Sequence, residues 1–510
     1  MSINNFEWLL DSIDAKVVQL NDFLIFELDD NRITFKDISH HFTWSKYVTN
    51  QIIEKLCIDI EKVFTPSERA LVIDDDQQVI TIDRSKYLEP HYFKSVMIVE
   101  SQMAQFLFAL ILGNYPGNSK FKCQFNLGDG QFNALVRRTR LELDKYDITI
   151  KKNATLDGNE ANIRLLMFEF LHRYETFLRF DDLKKYQKDV DLFLNTLISY
   201  YPDIRPYQTQ MILNGIYVVL IRLQDNHHVG NCLDDRYLID FNNLLPSAKK
   251  IFKGLNDIYQ QLMPDLSSKQ TREEAAYYWV NLGLLIGDFS SISRWQGTSL
   301  YHKILPTKKL LSQLYNSNFN QSLSDEVIDE FFSIIYRPSG FYLLNSDVIL
   351  NDDVSDVNQK SSQAHQFPIA TAFVHKLLQE LAHYFGKNDK QVISALFSDF
   401  LGAFLSISNA TDLPQINLGI SLPAHRGIAV GLKYELENIL PRNVFVHRGI
   451  YKTDDVVIQQ INYSNYQNQL EVVIDGVPNQ NEMIYIRRMI EKCYVDKFIS
   501  DNPTNNLFEV

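Results

Sequence analysis

Residues 120–164 read KFKCQFNLGDGQFNALVRRTRLELDKYDITIKKNATLDGNEANIR. The spacing predicts a short helix, a Gly-containing turn, a longer amphipathic helix and a two-stranded wing. Phe132, Leu135, Val136, Thr139 and Leu143 recur at i, i+3, i+4, i+7 and i+11, one face of an α-helix. Asp129 stands where an N-cap is expected. Gln131, Asn133, Arg137, Arg138 and Arg140 fall largely outside the apolar stripe. Their side-chain types pair bidentately with base edges or grip phosphates. Ile148 to Lys152 alternates as a strand and Leu156-Asp157-Gly158 supplies a turn. The pattern is that of a winged helix-turn-helix, and it makes double-stranded DNA the expected partner.

Charge sharpens this reading. The 510-residue chain carries a formal charge of −13, which as a whole repels a polyanion. Between Lys120 and Lys152 the sign reverses: eight basic residues, Lys151 and Lys152 among them, face four acidic ones, a net of +4. A basic segment in an acidic chain confines the electrostatic footprint to one module.

A similar pattern lies upstream in ITFKDISHHFTWSKYVTNQIIEKLCIDI, residues 33–60. Asp37 to Phe42 predicts a first helix. Thr43 or Ser45 caps a second, with Val48, Ile52, Leu56 and Ile60 on its buried face. Lys46, Tyr47, Thr49 and Asn50 are expected on or beside its exposed face. A hairpin follows, from Leu71-Val72-Ile73 through Asp74-Asp75-Asp76 to Val79–Ile82. This first module is less basic than the second and is expected to contribute less to affinity.

The length implies several domains, and a hydrophobic fraction of 45% is that of a globular protein. The four cysteines, Cys57, Cys123, Cys232 and Cys493, are scattered with no CxxC pair or zinc spacing. They read as buried free thiols in a reducing cytosol. MSINNFEWLL lacks the cationic start and cleavage site of a signal peptide. Apolar runs such as Met103–Leu112 and Ile216–Ile221 fall short of the ~20 residues of a membrane span. A soluble cytoplasmic protein without metal or cofactor is expected.

Beyond Ile163 the periodicity is helical. Leu165–Phe180, Tyr186–Tyr201, Thr209–Gln224 and Leu245–Leu262 predict one all-α bundle. A second helical region runs from about Glu273 to Ser408, interrupted by the polar, acidic stretch Asn351–Gln366, read as a mobile loop. The last hundred residues alternate: strands at Gln415–Ser421, Asn443–His447, Val456–Gln459 and Leu470–Asp475, helices at Gly427–Ile439 and Glu482–Phe498. That order implies a small parallel α/β sandwich.

Taken in sequence, these parts resemble the Mga/AtxA-like family of bacterial transcription regulators, which carry phosphotransferase-system regulation domains (PRDs). The most specific local match is FNALVRRTRLELDKYDITI followed by LDGNEANIRLLMFEF. It includes the G-x-E-x-x-I-R segment Gly158, Glu160, Ile163 and Arg164. The resemblance implies a multidomain, predominantly α fold. Its parts are a winged helix-turn-helix region at 1–84, a second, Mga-type one at 85–162, and PRD-like bundles at 163–270 and 271–410. An EIIB-like α/β domain completes it at 411–510.

The resemblance also implies regulation by phosphorylation of PRD histidines, through the phosphotransfer protein HPr or other phosphotransferase-system proteins. A phosphohistidine adds negative charge and acceptor oxygens to a helical interface. His227 and His228, in IRLQDNHHVGN, occupy a position like the family's first-bundle histidine and are expected to be exposed. His375, with His383 eight residues on, lies on the predicted helix FVHKLLQELAHYFG, and His365 precedes it. Two stretches depart from the family pattern: EEAAYYWVNLGLL and QVISALFSDFLGAF contain no histidine. A working EIIB takes phosphate on a cysteine after its first strand. Here that loop, Ser421 to Gly427, has none, and offers only His425. Dimerisation is the role this domain is expected to keep, so a homodimer through it is implied.

GxxxxGK[ST], GxGxxG, HExxH and GxSxG motifs are absent, which argues against an enzyme. The expected function is a sequence-specific transcriptional activator. A PRD-containing RNA-binding antiterminator and a non-DNA-binding signalling adaptor stand as alternatives. The helical, Arg-bearing segment argues against the first of these, since antiterminators begin with an all-β RNA-binding domain.

Overall fold

The computed structural model describes residues 6–508 except 29–30, 66–67, 75–77, 84–85, 87–89, 175–179, 201–204, 232–236, 287–294, 350–366, 408–413, 423–425, 441–442, 461–468, 475–476, 479 and 503–506. Among the described residues helix dominates, with three small sheets.

The N-terminal module runs α1 (Ser12–Asp22), β1 (Arg32–Thr34), α2 (Phe35–His41), α3 (Lys46–Val63), β2 (Leu71–Asp74) and β3 (Val79–Ile82). Asp11 caps α1 by accepting from the amides of Ile13 and Asp14, both at 2.8 Å. Ser45 caps α3 through the Val48 amide at 3.3 Å. The sheet is antiparallel in the order β1-β3-β2. Alternation puts Ile33, Leu71, Ile80 and Ile82 in the same core as Ile52, Leu56 and Ile60 of α3. The hairpin matches the spacing, although Asp75 and Asp76 of its turn lie outside the described residues. Two details differ. Strand β1 has too little alternation to be read from sequence. Thr49 is buried rather than outward, its hydroxyl donating to the Ser45 carbonyl at 3.1 Å.

The second module begins with α4 (Pro90–Glu100) and α5 (Gln102–Ile111), which meet at a 71° bend. Ser101 sits in the bend and caps α5 through the Ala104 amide at 3.1 Å. Helices α6 (Asn118–Gln124) and α7 (Asp129–Asp144) follow, then the antiparallel hairpin β4 (Ile148–Ile150) and β5 (Leu156–Gly158). Phe121 seats α6 on α5 and α7, with ring centroids 5.5 Å from Phe106 and 6.1 Å from Phe132. Gly158 closes the hairpin at φ +131°, and a Cβ there would stand 2.1 Å from the Asp147 carbonyl oxygen. Only glycine fits that approach.

Helices α8 (Glu160–Tyr174), α9 (Gln187–Tyr200), α10 (Pro206–Gln224), α11 (Pro246–Leu262) and α12 (Ser268–Ile286) form the first bundle. Contacts run α8 to α10, α10 to α9 and α12, and α11 to α12. The boundaries expected at 162/163 and 270/271 therefore fall inside helices, α8 and α12. Helices α13 (Ser299–Ile304), α14 (Pro306–Phe319), α15 (Asp325–Ile349), α16 (Pro368–Phe385) and α17 (Asp389–Ile407) form the second. Asn351–Gln366, expected as a loop, lies outside the described residues. Helix α17 is long and apolar enough by length and composition to cross a membrane, which the shorter apolar runs did not suggest. Val392, Leu396, Phe400 and Phe404 are nevertheless buried and α17 packs on α15 and α16, the arrangement of a core helix.

The C-terminal unit is a parallel sheet in the order β7-β6-β8-β9, built from β6 (Ile416–Ser421), β7 (Val444–Arg448), β8 (Val456–Gln459) and β9 (Leu470–Val473). Helix α18 (Arg426–Ile439) packs on β6 and β7, and α19 (Gln480–Asp501) on β8 and β9. The expected parallel α/β layering is present.

Candidate nucleic-acid interface

Helix α7 buries Phe132, Thr139 and Leu143. Its 100° step per residue then turns Gly130, Asn133, Ala134, Arg137 and Leu141 to the opposite side, with Arg140 at its margin. All six are exposed. Gly130 and Ala134 keep that face low, so a polyanion can approach between Asn133 and Arg137. Asn133, Arg137 and Arg140 have no side-chain hydrogen bond or ion pair among the described residues, which leaves their donors free.

Two other residues expected to meet DNA are already engaged. The N-cap is Gly128, not Asp129, and the Gly128 amide donates to Gln131 Oε1 at 3.0 Å. Gln131 thus closes the first turn of its own helix. Asp129, one place inside, is paired with Lys122. Arg138 lies to one side of the outward stripe. Its Nη2 donates to the carbonyls of Trp8 at 2.8 Å and Leu10 at 2.6 Å. It ties the chain's first segment to α7.

On the hairpin, Lys151 and Lys152 are both exposed. Lys151 pairs with Asp157 at 2.8 Å, and that hydrogen bond holds the Asp157 carboxyl below its usual range. Lys152 has no partner among the described residues. In the first module Lys46, Tyr47 and Asn50 are exposed on the first turns of α3, Tyr47 by 77%. None of the three has a side-chain partner among the described residues.

Beneath the hairpin is a buried network that sequence reading missed. Glu160 and Arg164, one turn apart on α8, pair at 2.9 Å. Arg164 reaches α12, where its guanidinium grips Glu274 bidentately at 2.6 and 3.0 Å, and it donates to the His227 carbonyl at 3.2 Å. Its face covers Tyr277, 5.4 Å from the ring centroid. Arg222 of α10 grips Glu160 at 2.6 Å and donates to the Leu156 carbonyl of β5 at 3.2 Å. Glu274 also accepts from the Val229 amide at 2.9 Å. All four charged residues are at most 5% exposed at their side chains. Burial works against the Glu160 carboxylate, yet the bond to Arg222 and the charges of both arginines outweigh it and hold its pKa below the ordinary range. The signal was present in sequence: a Glu–Arg pair at i,i+4 inside apolar α8, and a lone Arg222 in the apolar run of α10.

His227 and His228 are half-buried rather than exposed as expected. Burial and the neighbouring Arg222 lower the His227 pKa, and His228 Nδ1 is buried without a partner. They lie against the hairpin's foundation, not on a free loop. His375 is exposed on α16, its ring 4.7 Å from Phe397, and His383 is exposed on the same helix. His365 and His425 lie outside the described residues. Against the expected burial, Cys123 is exposed and Cys57 and Cys493 are half-buried; Cys232 lies outside the described residues.

Comparison with known proteins bears on the second module. Residues 85–171 match the family model described as the Mga helix-turn-helix domain. The match spans α4 to most of α8, and so includes α7, the hairpin and the Glu160–Arg164 pair. No curated protein matches the chain. A domain of this type points to a DNA-binding transcriptional regulator.

Proposed function

We propose that this protein is a sequence-specific transcriptional regulator, an activator of the Mga/AtxA type, that inserts α7 into the major groove. The observation that carries the reading is the outward face of α7. Asn133, Arg137 and Arg140 present unpaired donors there, on the segment whose local charge is opposite to that of the chain. Asn and Arg are the residues suited to adenine and guanine edges, and Lys152 is placed on the hairpin to meet a phosphate. The first module supplies a lesser contact through Lys46, Tyr47 and Asn50.

The remaining parts are read in the same frame. The two bundles act as PRD-like regulatory domains, with His227, His228 and His375 as acceptors of phosphate from HPr. The C-terminal α/β unit acts as an EIIB-like dimerisation domain, and the protein works in the cytoplasm. Selection of duplex DNA from a random pool, followed by salt titration of the winning sequence, tests the reading. Recovery of one motif with binding that weakens steeply in salt is expected. Preference for an RNA hairpin would favour the antiterminator reading, and no nucleic-acid binding would favour the adaptor.

A further inference from the structure

Two parts of the molecule far apart in sequence share one set of hydrogen bonds. At one end is the hairpin, held by the Leu156 carbonyl. At the other is the 227–229 turn of the first bundle, held by the His227 carbonyl and the Val229 amide. Between them stand Arg222, Glu160, Arg164 and Glu274. Each link is direct: Leu156 to Arg222 at 3.2 Å, Arg222 to Glu160 at 2.6 Å, Glu160 to Arg164 at 2.9 Å, Arg164 to Glu274 at 2.6 Å, Glu274 to Val229 at 2.9 Å.

We propose that Arg222 is the positioning residue of the DNA-contacting hairpin, and that the buried network ties the hairpin's placement to the conformation of the 227–229 turn. This rests on the DNA-binding reading for its consequence, though not for its mechanics. The physical argument is one of alternatives. A buried guanidinium cannot lose one carboxylate and stay where it is, because an unpaired charge away from water is strongly unfavourable. If the turn withdraws the Val229 amide and the His227 carbonyl, Glu274 and Arg164 must find new partners, and Glu160 is shared. Arg222 then re-forms its bonds without Glu160, or follows it and releases Leu156. The arrangement therefore responds as a unit rather than by gradual yielding. The hairpin carries Lys152, so its tilt decides whether that ammonium reaches a phosphate.

The test uses the full-length protein. Arg222→Met cuts the network at the hairpin, and Glu274→Gln cuts it at the far end without touching any hairpin residue. Backbone hydrogen exchange is followed at residues 147–158 and 226–231, together with affinity for the selected duplex across a salt series. Both variants are expected to accelerate exchange in the hairpin by tenfold or more. Lys152→Ala is expected to weaken DNA binding in the wild type but to add little in either variant, the non-additivity of residues acting together. Arg222→Lys restores charge but not the two-sided grip, and is expected to rescue only in part. Faster exchange confined to 226–231 in Glu274→Gln, with the hairpin unchanged, would overturn the proposal. Should the variants fail to fold, native-state exchange of the wild type in low urea decides. Hairpin amides and the Val229 amide opening in one step support the network, and separate openings refute it. Coupled exchange in a protein that binds no duplex would remove the DNA-binding reading and leave the network standing.

Discussion

Arg137 and Arg138 are adjacent, alike in chemistry and different in task. A step of 100° sends one guanidinium outward and the other onto the carbonyls of Trp8 and Leu10. Arg137→Ala should weaken duplex binding and reduce the slope of log affinity against log salt by about one if a phosphate contact is lost, or relax preference at one base pair if it reads a base. Arg138→Ala should leave that slope unchanged. It should instead lower stability by about 1–3 kcal/mol, as two carbonyls lose a charged donor, and expose residues 6–11 to protease. Gly158→Ala should loosen the hairpin by forcing a side chain onto the Asp147 carbonyl, which circular dichroism melts and hairpin hydrogen exchange would reveal. Sequence could nominate both arginines but not separate them, because the partner of Arg138 lies 130 residues away. The capping role of Gln131 was illegible for the opposite reason. Its partner is three residues away, and a capping glutamine looks the same as a base-reading one.

Helices and hairpins were legible where periodicity is local. Helices α3, α7 and α10 and the first hairpin fall within a few residues of their expected spans, since periodicity and capping residues define them locally. In the second hairpin Leu156–Gly158, expected as the turn, is strand β5, and the turn lies before it at 152–154. Strand β1 and the burial of Thr49 were not legible, because pairing with β3 and hydrogen bonding back to Ser45 decide them. The turn after α10 carries a pH consequence. Burial and Arg222 hold the His227 pKa below its ordinary 6.5, so the unfolded chain takes up this proton first on acidification. Between 6.5 and the lowered value the unfolded state binds more protons, and stability falls as pH drops. Glu160 acts with the same sign further down, below its ordinary 4.5. Urea midpoints at pH 7.5 and 5.5 should show the wild type losing more stability than His227→Gln. An equal loss in both would mean that neither burial nor Arg222 acts on the His227 ring.

At the scale of the molecule, order of parts was more legible than their borders. Helices α8 and α12 straddle the expected boundaries because each packs on α10 from one side of a division that sequence places by composition. The C-terminal sheet leaves Phe445 and Val473 about half exposed, and α19 does the same with Ile484 and Tyr485. A partner covering such groups is what a symmetric dimer needs, and two half-sites on DNA need a symmetric dimer. Deleting residues 414–510 should give a protein that sediments as monomer and binds its operator more weakly. A truncated chain that stays a tight dimer would move the interface into the bundles.

The tie between the first segment and α7 also sets an order of events at the ribosome. Phe6 lies against Phe170 and Tyr174, at 5.4 and 5.8 Å between ring centroids, while Trp8 and Leu10 await Arg138. Residues 6–10 are thus docked by residues made much later. At roughly 5–20 residues per second of synthesis, the leading segment emerges roughly 10–30 s before α8 is complete. Through that interval its aromatic side chains have no berth, and they stand open to a chaperone until α8 arrives.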